Sequence, residues 1–410
     1  MIAYKGIDYL RAKLALKQQR VERRYEYYEM KYLTADPSPL IPPQLKEVYK
    51  SVLGWCAKSV DVMADRLLFE GFAEETDYFN MNEIFNLNNK DILFDSAIQG
   101  ALISACDFIY ISEDENGYPR LQVVDGYNAT GEIDPITNML TEGYAVLSRD
   151  EYGNPLTEAY MIAGQTDIIT KGYRKVVTET FINKAPYALL VPIIYRPDAK
   201  RPFGHSRISR AAMDLMDKAR NTITRAEVSA EFYAFPQKWV VGLSQDAEPM
   251  DAWKATVSSM LQFTKDEDGE HPILGQFQAA SMTPHHEQFK MYASAFAGET
   301  DLTLNDLGFA TDNPTSADAI KAGHENLRAK ARKAQRTFGT GFLNTGYLAA
   351  CVRDKQTYKR TEIYQSKPKW LPIFEPDAAA LSGAGDAFNK LQQAFPDYVT
   401  EEKLKDLTGI

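Results

Sequence analysis

Residues 285–354 decide the fold, and they read HHEQFKMYASAFAGETDLTLNDLGFATDNPTSADAIKAGHENLRAKARKAQRTFGTGFLNTGYLAACVRD. The stretch begins as a helix, passes through a polar loop that ends at Pro314, and continues as a long second helix. Ser316 can cap that second helix, and Asp318 places a negative charge in its first turn, where the helix dipole favours one. The pattern therefore predicts two helices joined by a loop that belongs to neither.

The second predicted helix, from Ser316 to Ala350, carries two stripes of different chemistry. One stripe is apolar and predicts a buried face; its members are Ile320, Leu327, Ala331, Ala334, Phe338, Phe342 and Leu348. The other stripe is basic and consists of Lys321, Arg328, Arg332 and Arg336. It is either a solvated helix face or a surface that contacts phosphates or acidic groups of a neighbouring subunit. Three glycines, Gly339, Gly341 and Gly346, predict a kink or break near the end of this helix.

Composition predicts a globular chain of two or three compact units. The chain has 410 residues, of which 44% are hydrophobic and 25% are charged, and its net charge is -10. An acidic balance argues against a protein that clamps DNA tightly, because each neutralised phosphate adds affinity. Cys56, Cys106 and Cys351 form no CxxC motif and are expected to be reduced and buried. No signal peptide and no membrane span are expected.

The first half of the chain predicts helices followed by an antiparallel meander. Helices are expected at 1–33, 45–66 and 82–106. The period then changes to that of strands, which are expected at 108–111, 121–124, 144–147 and 160–163. Turn signals such as Glu115-Asn116-Gly117 and Asp134-Pro135 separate these strands.

The second half predicts a long helix, a small mixed segment and a short helical end. Residues 191–198 predict a strand, and 206–233 predict a helix with small and apolar residues at heptad-like spacing. The next elements are expected as strands at 236–242 and 273–277, with a short helix at 251–260 between them. After Asp354, strands are expected at 360–365 and 370–374, a loop at 381–385, and helices at 387–394 and 401–407. The mixed segment is rich in acidic residues, which include Asp246, Glu248, Asp266, Glu267, Asp268 and Glu270.

The sequence carries no recognisable catalytic motif. It lacks the GxxxxGK[ST] phosphate loop, the GxSxG nucleophile elbow and a Cys–His arrangement. His285 and His286 are adjacent, so they cannot share a helix face and do not predict a metal site. We therefore expect a protein that is not an enzyme and that binds no cofactor and no metal.

The order of these elements resembles that of the portal proteins of tailed bacteriophages, specifically the long-tailed type. Val123-Val124-Asp125-Gly126-Tyr127-Asn128 resembles the strand and turn that precede the hairpins of the portal wing. The strand with Pro192, the loop with Gly204-His205-Ser206 and the long helix that follows occur in the same order in that family. The resemblance spans about Leu45 to Phe374.

The resemblance implies an α+β portal fold. Its parts would be an α/β wing at 1–205, a first stem helix at 206–233, a small α/β clip at 234–284 and a second stem helix at 285–306. A tunnel loop at 307–315, a long helix with a return to the wing at 316–377, and a short helical C-terminal crown at 378–410 would follow.

The resemblance also implies a function. Twelve copies would form a ring at one vertex of the virion capsid, assembled in the host cytoplasm, and double-stranded DNA would pass through it without sequence specificity. Expected partners are the terminase large subunit, a head–tail adaptor, and the major capsid and scaffolding proteins. The acidic clip residues would contact the motor or the adaptor. The channel residues would be Leu307, Gly308, Phe309, Ala310, Thr311, Asp312 and Asn313.

Two other interpretations are compatible with the sequence. The chain could be an intracellular α+β enzyme or adaptor, or a different minor capsid protein. In either case the loop that ends at Pro314 would be an ordinary helix connection, and Phe309 would pack into the core.

Overall fold

The structure is a computed structural model that describes residues 4–31, 51–172, 175–234, 238–241, 273–276, 281–309, 322–374 and 378–394. The helices are α1 (Ile7–Tyr28), α2 (Trp55–Ala64), α3 (Met81–Leu87), α4 (Lys90–Ser104), α5 (Arg210–Ala234), α6 (Thr283–Thr300), α7 (Glu325–Arg353), α8 (Arg360–Ile363) and α9 (Ala378–Ala394). The strands are β1 (Phe69–Phe72), β2 (Cys106–Glu113), β3 (Pro119–Val124), β4 (Ala129–Ile133), β5 (Leu140–Arg149), β6 (Pro155–Ile162), β7 (Gln165–Lys171), β8 (Val176–Ile182), β9 (Leu190–Ile194), β10 (Lys238–Val241), β11 (Ile273–Gln276) and β12 (Pro368–Trp370).

The described strands form four antiparallel sheets. Strands β4 to β8 pair in sequence order as a five-stranded meander, and β3, β2 and β9 form a three-stranded sheet with β2 at its centre. Two strand pairs, β1 with β12 and β10 with β11, complete the arrangement. The predicted α+β class is confirmed as a mixed arrangement of helices and sheets. The divisions into wing, stem, clip and crown stay predictions.

The core is organised around three aromatic rings from distant parts of the chain. Phe69 of β1, Phe94 of α4 and Phe342 of α7 lie with ring centroids 4.6–4.8 Å apart. Helix α7 also packs on the three-stranded sheet, since Ile193 of β9 contacts the position of Gly341. The described members of the apolar stripe predicted for α7 are all buried, so that face is confirmed. Burial of these side chains supplies the main favourable free energy of folding in this region.

Helix α1 is attached to the meander by two buried carboxylates on neighbouring strands. Glu142 of β5 accepts hydrogen bonds from the backbone N–H groups of Lys5 and Gly6, at 2.6 and 2.9 Å. Glu158 of β6 forms an ion pair with Arg11 at 2.7 Å and with Lys171 at 3.0 Å. Burial raises the pKa of Glu158, but the hydrogen bonds from its basic partners outweigh burial, and the pKa lies below its ordinary value.

The segment before α5 is anchored in the ends of other helices. The Ser206 hydroxyl donates to the carbonyl oxygen of Ile103 at 2.6 Å, and the backbone N–H of Arg207 donates to that of Leu102 at 2.9 Å. The buried Arg207 guanidinium donates to the carbonyl oxygens of Ser59 and Thr300. The start of α5 is therefore tied to α2, α4 and α6 at once.

Several element predictions are wrong. The strand predicted at 360–365 is the short helix α8, in which the Arg360 guanidinium lies 4.4 Å from the ring of Tyr364, one turn later. The helix predicted at 82–106 is interrupted, because Asn89 adopts a left-handed conformation with φ 52°. The loop predicted at 381–385 lies within α9, where a run of three alanines favours helix.

Other predicted boundaries shift. Helix α5 begins at Arg210, because Ser206 and Arg207 are held by other helices. The helix predicted at 45–66 begins at Trp55 within the described residues, and residues 32–50 lie outside them. The strand predicted at 370–374 ends at Trp370, and it pairs with β1 instead of joining the large meander. Strands β1, β4, β7 and β8 were not predicted.

The predicted break near the end of the second long helix is also wrong, since α7 is helical without interruption. Its glycines have a packing role instead. A Cβ at Gly341 would lie 2.7 Å from Ile193 Cδ1, and one at Gly346 would lie 2.6 Å from Met81 Sδ. At Gly339 a Cβ would approach Pro368 at 3.2 Å. These three glycines let β9, α3 and β12 approach the helix closely.

Gly204 provides a test of the anchored segment. Its φ is +77°, and a Cβ there would lie 2.1 Å from the carbonyl oxygen of Tyr195. We expect Gly204→Ala to destabilise the chain by at least about 2 kcal/mol, seen as a lower melting temperature in circular dichroism.

The matched control is Gly298→Ala. Gly298 lies exposed within α6, and nothing approaches the position of its Cβ within 4 Å. Because alanine favours helix by up to about 1 kcal/mol over glycine, the control is expected to melt at the same or a higher temperature. Equal melting temperatures for the two variants would contradict the anchoring role of Gly204.

Candidate functional site

Helices α5 and α6 form an antiparallel pair that leads to the candidate loop. Ser209 donates to Glu299 at 2.8 Å near one end of the pair, and Ser229 lies 3.3 Å from the His285 imidazole near the other. Between them, Thr222 contacts Gln288 at 3.4 Å. The heptad-like positions predicted for α5 are only partly buried, since Ala219 is buried whereas Ala211 and Ala230 are exposed. The resemblance described above implies that these two helices are the stem, and this assignment stays a prediction.

The chain on both sides of residues 310–321 is held together by one carboxylate. Asp306 accepts hydrogen bonds from the backbone and the hydroxyl of Thr303, at 2.8 and 2.9 Å. Its other contact is the His324 imidazole, whose Nε2 lies 3.0 Å away, directly before α7. Burial raises the pKa of Asp306, but these hydrogen bonds and the nearby imidazole outweigh burial and hold the pKa below its ordinary value.

The described part of the predicted channel loop is packed against the helix pair. Phe309 is half-buried, and its ring centroid lies 5.6 Å from that of Phe289 on α6. Leu307 is half-buried as well, whereas Gly308 is exposed with φ +89°. Phe309 therefore has a packing role in the subunit. The remaining predicted channel residues, Ala310, Thr311, Asp312 and Asn313, lie outside the described residues.

The basic stripe of α7 divides into two parts. Arg328 forms an ion pair with Glu325 at 3.5 Å, on the same helix. Arg332 and Arg336 are exposed and have no ion-pair partner in the part of the chain that the structure describes. Lys321, the fourth predicted member, lies outside the described residues.

Arg332 and Arg336 lie at an open groove of about 1200 Å³, which we call the basic groove. Its floor is apolar and includes Ile194, Leu343 and Trp370. Its rim carries cations from three separate segments, namely Arg196, Arg332, Lys333, Arg336 and Lys367. Asp198 also lines the groove, but its carboxylate is engaged by His205 at 2.6 Å and by the backbone N–H of Arg201. The groove therefore carries net positive charge on a chain with net charge -10.

The sequence did not predict this groove as a unit. The stripe of α7 was visible from its periodicity, but Arg196 follows β9 and Lys367 precedes β12. Only tertiary packing brings these three segments together. The sequence showed a run of arginines at steps of four residues, but it did not show that Arg196 and Lys367 lie beside them.

The predicted clip is described only at β10 and β11. These two strands pair in register from Lys238 with Gln276 to Val241 with Ile273, as expected for strands at the two ends of the segment. All six acidic clip residues, Asp246, Glu248, Asp266, Glu267, Asp268 and Glu270, lie outside the described residues. The helix predicted at 251–260 does as well.

Among the described residues, no group of three His, Cys, Asp or Glu side chains is placed to hold a metal ion. None of the described helices has the length and apolarity of a bilayer-spanning segment. The three cysteines are buried with free thiols, and burial raises the pKa of Cys351 above its ordinary value.

Comparison with known proteins gives two similar sequences. The portal protein of Mycobacterium phage L5 is 26% identical over 338 residues, which cover 76% of this chain and 67% of the relative. The portal protein of Mycobacterium phage D29 is 25% identical over 358 residues, which cover 81% of this chain and 71% of the relative. The resemblance to bacteriophage portal proteins is confirmed. No family model matches the chain.

Two solved structures are similar to this chain at lower sequence identity. One is the neck of a native GTA particle computed with C12 symmetry, at 13% identity and a TM-score of 0.45, covering 95% of this chain and 99% of that one. The other is the neck of an empty GTA particle computed with C6 symmetry, at 13% identity and a TM-score of 0.47, covering 91% and 94%. TM-scores below 0.5 do not establish a shared fold.

The contact between Asp306 and His324 generates a prediction. We expect Asp306→Ala to lower the melting temperature by about 2–5 °C at pH 7, because it removes hydrogen bonds to a half-buried carboxylate. The control Asn305→Ala changes an exposed neighbour and is expected to melt like the parent chain.

The effect of Asp306→Ala should depend on pH. A carboxyl whose pKa is lowered on folding stabilises the fold above its unfolded value of 3.8, and this contribution disappears as pH falls through the folded pKa. The difference in melting temperature between variant and parent should therefore shrink below about pH 4. A difference that is constant from pH 7 to pH 3 would show that Asp306 does not act through its charge.

Proposed function

We propose that this chain is a phage portal subunit. The observation that carries the proposal is its similarity to two portal proteins over 76% and 81% of its length. In this proposal, twelve copies form a ring at one vertex of the capsid, with the antiparallel pair of α5 and α6 as the stem. Double-stranded DNA passes through the ring during packaging and ejection, and the head joins the tail there.

The proposed subunit does not itself power DNA movement. The sequence has no phosphate loop for ATP hydrolysis, and the described residues contain no metal-binding cluster. The terminase large subunit would supply the ATPase, and a head–tail adaptor, the major capsid protein and the scaffolding protein would be further partners. The acidic residues between β10 and β11 would face the motor and later the adaptor.

Ring assembly tests the proposal. Each chain has a mass of 46.2 kDa, so twelve copies would have a mass of about 550 kDa. We expect rings with a central hole in negative-stain electron microscopy, and a matching mass in light scattering. An intracellular enzyme or adaptor would give monomers or small oligomers instead. Folded protein that stays monomeric at micromolar concentration would contradict the proposal.

A deletion separates the channel role of the loop from its packing role. Removing Ala310, Thr311 and Asp312 leaves Phe309 and its contact with Phe289 in place. We expect this deletion to leave ring yield and melting temperature unchanged while lowering the amount of DNA packaged per head, since the loop is proposed to meet DNA in the channel.

The matched variant is Phe309→Ala. It removes a half-buried ring from the surface of α6 and is expected to lower the melting temperature. If the deletion lowers ring yield and melting temperature together, the loop serves packing. If the deletion leaves packaging unchanged, the loop does not contact DNA.

A further inference from the structure

The lining of the basic groove indicates what kind of surface could bind there. Its apolar floor and cationic rim together fit a surface with an exposed apolar side chain flanked by carboxylates. Arg332 and Arg336 stand one helical turn apart on α7, so two acidic groups spaced by about one turn would match them.

The outer side of α4 offers such a surface, which we call the acidic face. It consists of Asp91, Ile92 and Asp95 on α4, together with Asp65 after α2. Ile92 is 73% exposed, whereas the other apolar side chains of α4 are buried. Asp91 and Asp95 are exposed one turn apart and flank it.

The acidic face carries unrelieved repulsion in the isolated subunit. Burial raises the pKa of Asp95, and the charges of Asp91 and Asp65 raise it further. No ion pair to these three carboxylates occurs among the described residues. A cationic partner would therefore be stabilising here.

One subunit cannot bring its own groove and acidic face together. No residue of α4 lines the basic groove. Helix α4 contacts α7 through Phe94 and Phe342, whereas Arg332, Arg336 and Thr340 lie on another stripe of α7. The two surfaces therefore lie on different sides of the α4–α7 pair, and a contact between them must join two different copies.

We propose that the basic groove of one subunit receives the acidic face of the next subunit. Ile92 enters the apolar floor, and Asp91 and Asp95 pair with Arg332 and Arg336. The inference rests on the proposed ring, because a contact between two different surfaces of the same chain is heterologous and closes into a ring when the rotation permits. It assigns the arginines of α7 to a protein contact in place of a phosphate contact.

Charge reversal tests this pairing. The first variant reverses the groove with Arg332→Glu and Arg336→Glu, and the second reverses the face with Asp91→Lys and Asp95→Lys. Each variant alone sets like charges against each other and is expected to lower the ring fraction at least tenfold at about 150 mM salt. The controls Arg328→Glu and Glu74→Lys change exposed charges outside both surfaces and should leave the ring fraction unchanged.

Mixing the two reversed variants gives the decisive result. The acidic groove of the first variant then meets the basic face of the second, and the basic groove of the second meets the acidic face of the first. An equimolar mixture should therefore restore rings in which the variants alternate, as seen by light scattering and electron microscopy. Restoration also shows that both variants fold.

Each of the following outcomes would overturn the inference. Rings that form normally from either variant alone would show that the groove does not carry the contact, while the proposed portal function would stand. Normal rings combined with a loss of packaged DNA in the groove variant would assign the arginines to phosphate contact. Variants that melt like the parent chain yet fail to form rings when mixed would show that another surface is involved. If the parent chain itself forms no rings, the portal proposal and this inference fall together.

Discussion

The buried guanidinium of Arg207 is the constraint on which the rest of the structure depends. Burying a cation costs several kcal/mol unless hydrogen bonds replace its water shell. Here the donors reach the carbonyl oxygen of Thr300, which ends α6, and that of Ser59 in α2. The carbonyl oxygens at the end of a helix carry partial negative charge, so the one at Thr300 suits a cation. The backbone N–H of Arg207 also donates to Leu102 of α4. A single residue therefore fixes the start of α5 and the end of α6 relative to α2 and α4.

Helix α7 links the proposed channel loop to the proposed intersubunit contact. Its beginning is tied to the segment that follows α6 by the contact between Asp306 and His324, next to the proposed channel loop. Its middle contributes Phe342 to the core and Arg332 and Arg336 to the basic groove. A continuous helix that borders the proposed channel loop, contributes to the core and carries the proposed intersubunit contact would couple the position of the loop to ring assembly. Its glycines permit close packing and do not interrupt the helix.

The buried charged residues and the exposed charged residues of this chain differ in whether they are paired. The carboxylates Glu142 and Glu158 are buried and satisfied by α1, so they fix that helix on the meander. Arg332 and Arg336 of α7 and Asp91 and Asp95 of α4 are exposed and have no ion-pair partner among the described residues. Satisfied buried charges help to specify the fold of one subunit, whereas the exposed charges of opposite sign would specify how copies meet in the proposed ring.

The sequence by itself determined the element types with strong periodicity. The apolar stripe of α7, the strands β2, β3, β5 and β6 and the break between the α6 and α7 helices could be predicted, because solvent exclusion acts on spacings of 3.6 and 2 residues. It did not determine α8, the interruption at Asn89 or the uninterrupted course of α7, since these depend on contacts with distant segments. The basic groove shows the same limit. Its arginines were visible as a stripe, but Arg196 and Lys367 join them only after β9 and β12 pack beside α7, and no local pattern encodes that meeting.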